Sequence, residues 1–243
     1  MVSGARLQPG DRVVEIGPGL GILTEQIAAA EVELTAVELD RDLAAYVRQR
    51  FPDVRLIEGD AAKVDWSDVC PGSGWKVVAN LPYNVGTTLV MQLVRRPATF
   101  ASVTVMLQLE VVQRMLATPG SKAYGALSVQ VQAWAEPRFV LKLPPGAFHP
   151  PPKVDSAVIH LMVRDVPATG DAPPAVFDQV VRASFAHRRK TLRNSLKASW
   201  GIAVVDAVLE RAGIDGSRRG EQLSHPEFVR LAEARHRAGS DQS

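Results

Sequence analysis

Short β-branched runs alternate with segments that carry apolar residues at helical spacing through the first 110 residues of the chain. This alternation constrains the fold most, because it is typical of a parallel sheet covered by helices on both faces. Strands are predicted at residues 12–16, 33–38, 54–58, 76–80 and 102–108. Helices are predicted between them at residues 20–30, 41–50 and 87–95. The sequence therefore predicts an α/β fold that binds its ligands at the carboxyl ends of the strands.

The rest of the chain divides at a segment rich in proline, glycine, alanine and threonine. Before it, a helical stretch near residues 110–116 and two strands near 138–143 and 154–163 suit an antiparallel closure of the sheet. After it come helical patterns without strands, at residues 176–186, 203–212 and 226–237. We therefore predict a catalytic domain over residues 1–165, a linker over 166–174 and a small all-helical domain over 175–243.

Several classes of protein are excluded by composition. No apolar run reaches the roughly 18–20 residues of a membrane span, and the N-terminus shows no secretion signal. The single cysteine, Cys70, cannot form an internal disulfide, and the five histidines lack the spacing of zinc ligands. We expect a cytoplasmic protein with no metal, monomeric by default. Residues 164–243 hold 13 basic against 10 acidic residues, a weak indication of a polyanionic partner.

A glycine-rich segment, Gly17-Pro18-Gly19-Leu20-Gly21, joins the first strand to the first helix. Alternate glycines let the backbone approach a ligand closely, although a turn that binds nothing has the same pattern. Glu38, at the end of the second strand, is placed to accept both hydroxyls of a ribose. Asp60, at the end of the third, is placed to accept a proton from an adenine amino group. Acids at successive strand ends favour a nucleotide-like ligand over solvated carboxylates.

Glu15 separates two interpretations of the glycine-rich segment. A dinucleotide dehydrogenase usually has the spacing G-x-G-x-x-G, whereas this chain has G-x-G-x-G. Glu15 stands two residues before the first glycine, where a carboxylate would repel a pyrophosphate. It would instead accept the aminoacyl ammonium of S-adenosylmethionine. The sequence therefore favours a methyltransferase over an oxidoreductase.

The fourth strand ends in Asn80-Leu81-Pro82-Tyr83, the most specific string in the chain. An exocyclic aromatic amine is a poor nucleophile, because its lone pair is delocalised into the ring. The Asn80 side-chain oxygen and a nearby carbonyl, with Leu81 as candidate, could accept both amino protons and aim the lone pair at a methyl group. Pro82 stiffens the segment, and Tyr83 offers a face for stacking a purine. The alternative is a proline-containing turn with a buried tyrosine.

Two later segments complete the candidate site. Phe148 lies in a stiff proline-rich loop and could stack on the other side of an extruded base, although an aromatic there often only packs. Residues 185–197 gather five basic side chains with Ser, Thr and Asn between them, which suits contacts to RNA phosphates. On a helix, three of the basic side chains would form one stripe, although a solvated helix face is the alternative. The five basic residues are Arg188, Arg189, Lys190, Arg193 and Lys197.

With these residues together, the chain resembles the small-subunit (16S) ribosomal RNA adenine dimethyltransferases, the KsgA/RsmA family. The most specific strings are Phe-His-Pro-Pro-Pro-Lys-Val-Asp-Ser-Ala-Val at residues 148–158 and Arg-Arg-Lys-Thr-Leu-Arg-Asn-Ser-Leu at 188–196. The resemblance implies a Rossmann-like class I methyltransferase domain that uses S-adenosylmethionine, a helical C-terminal domain and a pre-30S particle as substrate. It assigns Asn80 to Tyr83 and Phe148 to the target adenine. The cofactor contacts argued above and those implied by the resemblance together comprise Glu15, Gly17, Gly19, Glu38, Leu39, Asp60, Ala61 and Asn80.

One departure from the family pattern keeps other functions open. Family members begin further upstream, with a basic stretch and a Gly-Gln-Asn-Phe-Leu segment near the cofactor, whereas this chain opens at Met1-Val2-Ser3-Gly4. Either the start is misassigned or trimmed, or the chain is a truncation; if it truly begins here, we expect both cofactor affinity and turnover to be affected. A ribosome-assembly factor that does not methylate is one alternative, and a large-subunit methyltransferase of the macrolide-resistance type is another. The Lys153-Val-Asp-Ser-Ala and Lys122-Ala-Tyr-Gly-Ala-Leu-Ser strings argue against the second.

Overall fold

The computed structural model describes residues 1–240 and contains one seven-stranded sheet with helices. The strands are β1 (Arg12–Ile16), β2 (Glu33–Glu38), β3 (Arg55–Glu58), β4 (Trp75–Asn80), β5 (Phe100–Gln108), β6 (Ala135–Leu143) and β7 (Ser156–Val163). The helices are α1 (Val2–Ala5), α2 (Ile22–Ala28), α3 (Arg41–Arg50), α4 (Trp66–Val69), α5 (Gly86–Val94), α6 (Leu109–Leu116), α7 (Ala126–Trp134), α8 (Pro174–Phe185), α9 (Leu192–Trp200), α10 (Ile202–Ala212) and α11 (His225–Ser240).

The order of the strands creates a crevice beside β1. The strands lie in the order β3-β2-β1-β4-β5-β7-β6, so the chain leaves β1 towards β2 and later returns to the other side of β1 as β4. The first five strands pair in parallel, and β7 pairs antiparallel with both β5 and β6. In such sheets the ligand binds where the order reverses, at the carboxyl ends of the strands. Here that position lies between the ends of β1 and β4.

The sheet is covered on both faces, which explains why its central strands consist of apolar runs. Val13, Val14, Val77 and Val78 are fully buried, as expected for parallel strands between two helical layers. The α3 helix begins at an N-cap, Asp40, whose side chain accepts the backbone N–H groups of the first turn. The apolar runs of the strands and the N-cap of the helix are both local signals in the sequence. For this reason the bounds of β1, β2 and α3 agree with the sequence prediction at every residue.

The structure divides into two compact units whose limits differ from the sequence expectation in one place. Within residues 1–240, the first unit comprises residues 1–112 and 135–165, and the second comprises residues 113–134 and 166–240. Residues 113–134 belong to the helical unit, whereas the sequence predicts a catalytic domain over residues 1–165. No helix is predicted for α7, because its polar residues Ser128, Gln130 and Gln132 alternate with apolar ones at a strand-like spacing.

An aromatic cluster forms part of the core of the second unit. The Tyr124 ring meets Phe185 edge to face at 6.0 Å, and Phe185 stacks on Phe228 at 5.7 Å. The Tyr124 hydroxyl donates to the carbonyl of Leu223 at 3.0 Å. Tyr124 thus joins the segment before α7 to the segment before α11.

Within residues 1–240, every helix is too short or too polar to cross a membrane.

Candidate active site

The glycine-rich segment turns sharply after β1. The backbone N–H of Gly17 donates to the carbonyl of Val37 at 2.9 Å, and that of Gly21 donates to the carbonyl of Pro18 at 2.9 Å. Gly17, Gly19 and Gly21 all have positive φ, which other residues adopt only at a cost. No atom lies within 4 Å of a Cβ placed on Gly17 or Gly19. The segment therefore presents an open backbone surface at the end of β1.

Gly21→Ala is expected to destabilise the protein by more than the backbone strain of an alanine at positive φ. The added Cβ would overlap a ring carbon of Phe51, so the ring must move as well. Gly10 has a similar φ of 81° but open space around its Cβ position, which makes Gly10→Ala a matched control for backbone strain. We expect about 1–2 kcal/mol of destabilisation at Gly10 and about 1–3 kcal/mol more at Gly21, measured by urea unfolding. Equal losses would mean that Phe51 relaxes without cost.

Glu15 is a buried carboxylate with one oxygen unsatisfied. Its side chain is 1% exposed, and its Oε2 accepts the hydroxyl of Thr24 at 2.7 Å. Its Oε1 has no hydrogen-bond partner within residues 1–240. Burial raises the pKa of Glu15 to about 7; the hydrogen bond from Thr24 opposes this rise and the negative charge of Glu38 reinforces it. A cationic group at Oε1 would satisfy the oxygen and favour its ionised form.

Glu38 is held in a fixed orientation at the end of β2. Its Oε2 accepts the backbone N–H of Gly19 at 3.1 Å, and its Oε1 accepts that of Asp40 at 3.0 Å. Each carboxylate oxygen has a second lone pair, so the group can accept two further hydrogen bonds. This geometry fits a pair of vicinal hydroxyls. Leu39, which follows, is 68% exposed and offers an apolar surface beside them.

Asp60 lies two residues beyond the end of β3. Its Oδ1 accepts the backbone N–H of Ala62 at 2.9 Å, and the Lys63 ammonium lies 3.4 Å from Oδ2. The hydrogen bond from Ala62, followed by Lys63, lowers the pKa of Asp60, so the carboxylate is ionised at neutral pH. Ala61 between them is buried. Asp60 is therefore a hydrogen-bond acceptor at the same edge of the sheet as Glu38.

Asn80 is the last residue of β4 and its side chain is exposed. The Leu81 side chain that follows is 2% exposed and anchors the segment in the core. The carbonyl of Pro82 accepts the N–H of Gly86 at 2.9 Å and belongs to the start of α5. Leu81 therefore remains the candidate for the backbone acceptor beside the Asn80 amide.

A cavity of about 340 Å³ brings the two predicted aromatic faces together. Tyr83 comes from the segment after β4, and Phe148 comes from the loop before β7, directly after a short 3₁₀ turn. Both rings are half-buried. The cavity is lined by Asn80, Leu81, Pro82, Tyr83, Phe148, Pro150 and Pro152. It has room for one nucleobase, and its lining includes both stacking candidates and the amide.

The basic segment is arranged differently from the expected stripe. The α9 helix begins at Leu192, so Arg189 lies in the turn before it and does not share a face with Lys197. Both oxygens of Asp206 accept from Arg193, at 2.6 and 2.7 Å, and this compensates its charge. The expectation of a helical stripe is therefore wrong, because Thr191 caps the helix and sets its start.

The exposed turn before α9 carries three consecutive basic residues, Arg188, Arg189 and Lys190. The guanidinium of Arg188 donates to the backbone carbonyl of Lys122 at 3.2 Å. Lys122 is itself exposed, so a fourth cation adjoins the turn. The place of Lys122 beside the basic turn was not predicted from the sequence, because 66 residues separate it from Arg188.

Two further residues of the site were missed from the sequence. Thr24 holds Glu15, and the Ser156 hydroxyl lies 2.6 Å from the hydroxyl of Tyr83. Ser156 was present in the Lys-Val-Asp-Ser-Ala string, but nothing local indicated its partner.

Within the described residues no cluster of three or more His, Cys, Asp or Glu could hold a metal ion.

The strand order, the glycine-rich turn and the acids at the strand ends define a class I methyltransferase that uses S-adenosylmethionine. The residues fit this methyl donor, since the unsatisfied Glu15 oxygen suits its ammonium group and Glu38 suits its ribose. The family model described as ribosomal RNA adenine dimethylase matches residues 1–236. The chain belongs to this family.

Named relatives and solved structures agree with this assignment. The chain is 46% identical to "Ribosomal RNA small subunit methyltransferase A" of Syntrophotalea carbinolica, covering 94% of this chain and 88% of that protein. It is 45% identical to the protein of the same name from Pelotomaculum thermopropionicum, covering 96% and 85%. A dimethyladenosine transferase from Plasmodium falciparum has the same fold, with a TM-score of 0.85, 24% identity and coverage of 98% and 94%. The 23S rRNA methyltransferase ErmE has a TM-score of 0.72, 26% identity and coverage of 96% and 94%.

Proposed function

We propose that the chain transfers methyl groups from S-adenosylmethionine to the N6 amines of two adjacent adenosines near the 3′ end of small-subunit ribosomal RNA. The observation that carries the proposal is the cavity whose lining includes Asn80 together with the two aromatic residues Tyr83 and Phe148. The names of the relatives at 45–46% identity support the small subunit as the source of the RNA. We propose that the pre-30S particle in the cytoplasm is the substrate and that the enzyme acts as a monomer.

The residues of the cavity would act mainly by positioning. S-adenosylmethionine supplies an electrophilic methyl group, which its sulfonium releases to the attacking amine. The Asn80 side-chain oxygen and the Leu81 carbonyl accept hydrogen bonds from the N6–H groups. These hydrogen bonds direct the nitrogen lone pair towards that methyl group. Tyr83 and Phe148 hold the base between their faces, which fixes the approach. As positive charge develops on the nitrogen, both acceptors stabilise it, and the N6 proton leaves to water without a strong base.

The proposal is tested by transfer of labelled methyl groups to isolated ribosomal particles. Under-methylated 30S particles should accept label at two adjacent adenosines, while fully methylated 30S particles should not. Large-subunit RNA serves as the second substrate, because ErmE has the same fold and is a 23S rRNA methyltransferase. Label in the large subunit alone would favour the macrolide-resistance type of enzyme. Binding of S-adenosylmethionine and of 30S particles without transfer would favour an assembly factor.

The basic turn before α9 is expected to contact RNA phosphates. Replacing Arg189 and Lys190 of the turn, together with the exposed Lys197 of α9, with alanine should weaken RNA binding and make it less dependent on salt. Each lost phosphate contact should reduce the slope of log K against log salt by about 0.7–0.9. The measurement is a salt titration of binding to 30S particles. Arg193→Ala is the matched control, since Asp206 already compensates this guanidinium, and its slope should stay near that of the unmodified protein. An unchanged slope in the triple variant would make the turn an ordinary solvated surface.

A further inference from the structure

The hydroxyl of Tyr83 forms a hydrogen bond to a serine that the proposed mechanism does not use. The distance between Tyr83 Oη and Ser156 Oγ is 2.6 Å. Ser156 is the first residue of β7 and is fully buried. It is paired in register with Gln108 of β5 on one side and Leu143 of β6 on the other. The serine therefore has little freedom to move.

The backbone next to Ser156 is also fixed. The carbonyl of Asp155 accepts the N–H of Leu109 at 2.9 Å, and the Asp155 carboxylate pairs with the Lys142 ammonium at 2.7 Å. Asp155 ends the proline-rich loop that carries Phe148. The hydrogen bond between Tyr83 and Ser156 thus joins the segment after β4 to the firmly held end of the loop that bears the second ring.

We propose that Ser156 is a positioning residue for the Tyr83 ring, and that the Tyr83 hydroxyl is an anchor that takes no part in proton transfer. This inference rests on the proposed function, because it assumes that the cavity holds the target adenine. A phenol engaged with a buried serine is turned away from a base that lies against the ring face. The long axis of the ring is held at both ends, by its backbone after Pro82 and by its hydroxyl. Because a phenolic O–H lies in the plane of its ring, the hydrogen bond to Ser156 also favours one ring orientation before the substrate arrives.

The alternative is that the phenol accepts or donates a proton at the N6 amine. The two roles predict different patterns of loss. If the hydrogen bond is an anchor, removing either partner should lower kcat/KM by the same factor. Removing both partners should lower it by no more than removing one. A phenol that acts on the substrate directly is needed even when Ser156 is absent.

The test is a double-mutant cycle of Tyr83→Phe and Ser156→Ala, measured as methyl transfer to under-methylated 30S particles. Each single variant should lower kcat/KM about three- to thirtyfold, and the double variant should match the singles. The pH profile of kcat should keep its shape in Tyr83→Phe. A loss of more than about 100-fold in Tyr83→Phe with near-normal Ser156→Ala would overturn the proposal. Independent, multiplying losses in the double variant would also overturn it.

A second measurement does not depend on activity. With ring-labelled tyrosine, nuclear magnetic resonance should show slow rotation of the Tyr83 ring, and Ser156→Ala should increase that rate. Tyr124→Phe is a control for general loosening, since this phenol bonds to Leu223 in the other unit and should leave the Tyr83 signal unchanged. Unchanged ring rotation in Ser156→Ala would overturn the inference whether or not the enzyme methylates 30S particles. If the unmodified protein transfers no methyl group, the proposed function fails, and the ring measurement alone decides the role of Ser156.

Discussion

Asn80→Ala should lower the rate of methyl transfer by roughly 10²–10³-fold, the usual cost of removing one preorganised polar group from a reacting centre. The reason is geometric, because the amide oxygen is the side-chain acceptor that the cavity offers to the N6 protons. Without it, the nitrogen lone pair remains delocalised and poorly aimed. The measurement is single-turnover transfer of labelled methyl groups to under-methylated 30S particles.

Asn84→Ala is the matched control for Asn80→Ala. Asn84 is the same residue type in the same segment and is exposed, but it does not line the cavity. Its replacement should leave the rate within a few-fold of normal. Binding of 30S particles should be retained by both variants, because the exposed cations of the basic turn lie in the other unit. Near-normal transfer by Asn80→Ala would contradict the proposed role of the amide.

Glu15→Gln should have two effects of opposite sign. It should weaken binding of S-adenosylmethionine by roughly 10–100-fold, since a charge-assisted hydrogen bond to the ammonium would be lost. It should also stabilise the cofactor-free protein at pH 8, by roughly 1–3 kcal/mol, because a buried carboxylate no longer has to ionise. Calorimetric titration measures the first effect, and urea unfolding over a range of pH measures the second.

The pH dependence of stability distinguishes Glu15 from other carboxylates. Its pKa is about 7 in the folded protein against an ordinary value of 4.5, so the folded state binds more protons between these values. Its contribution to the free energy of unfolding is present below pH 4.5 and is lost as the pH rises to about 7. Glu15→Gln should remove this loss, while Glu33→Gln at an exposed position should not. Equal pH curves for Glu15→Gln and the unmodified protein would contradict the raised pKa.

Binding of the cofactor should change in the reverse direction. An ammonium group requires the ionised carboxylate, so affinity for S-adenosylmethionine should fall as the pH drops below about 7. This dependence should disappear in Glu15→Gln. A pH-independent affinity in the unmodified protein would place the ammonium elsewhere.

The first five strands and the glycine-rich turn could be predicted because their signals are local. Alternating apolar runs, positive-φ glycines and an Asp40 N-cap all act within a few residues of the structure that they specify. The carboxyl ends of parallel strands necessarily share one edge, so Glu38, Asp60 and Asn80 could be placed together without coordinates. Their assignments to particular groups of the cofactor and the substrate stay predictions.

The helical unit was predicted less well for the same reason. The polar residues of α7 alternate with apolar ones, a spacing typical of a strand, so no helical periodicity marks this helix. Residues 113–134 accordingly lie in the helical compact unit, whereas the rest of residues 1–165 lies in the other unit. The stripe through Arg189 failed because a cap at Thr191 starts the helix later than the charges suggested. Charge spacing alone does not specify where a helix begins.

By itself, the sequence determined the fold class and the edge of the sheet at which Glu38, Asp60 and Asn80 lie. Only the tertiary structure decided how those residues are paired: Tyr83 with Ser156, Arg193 with Asp206, and Arg188 with the carbonyl of Lys122. It also decided that Glu15 is buried beside a second carboxylate, which raises its pKa. The physical reason is that strand and helix signals act between neighbours in the chain. Hydrogen bonds and desolvation depend on which distant segments packing brings together.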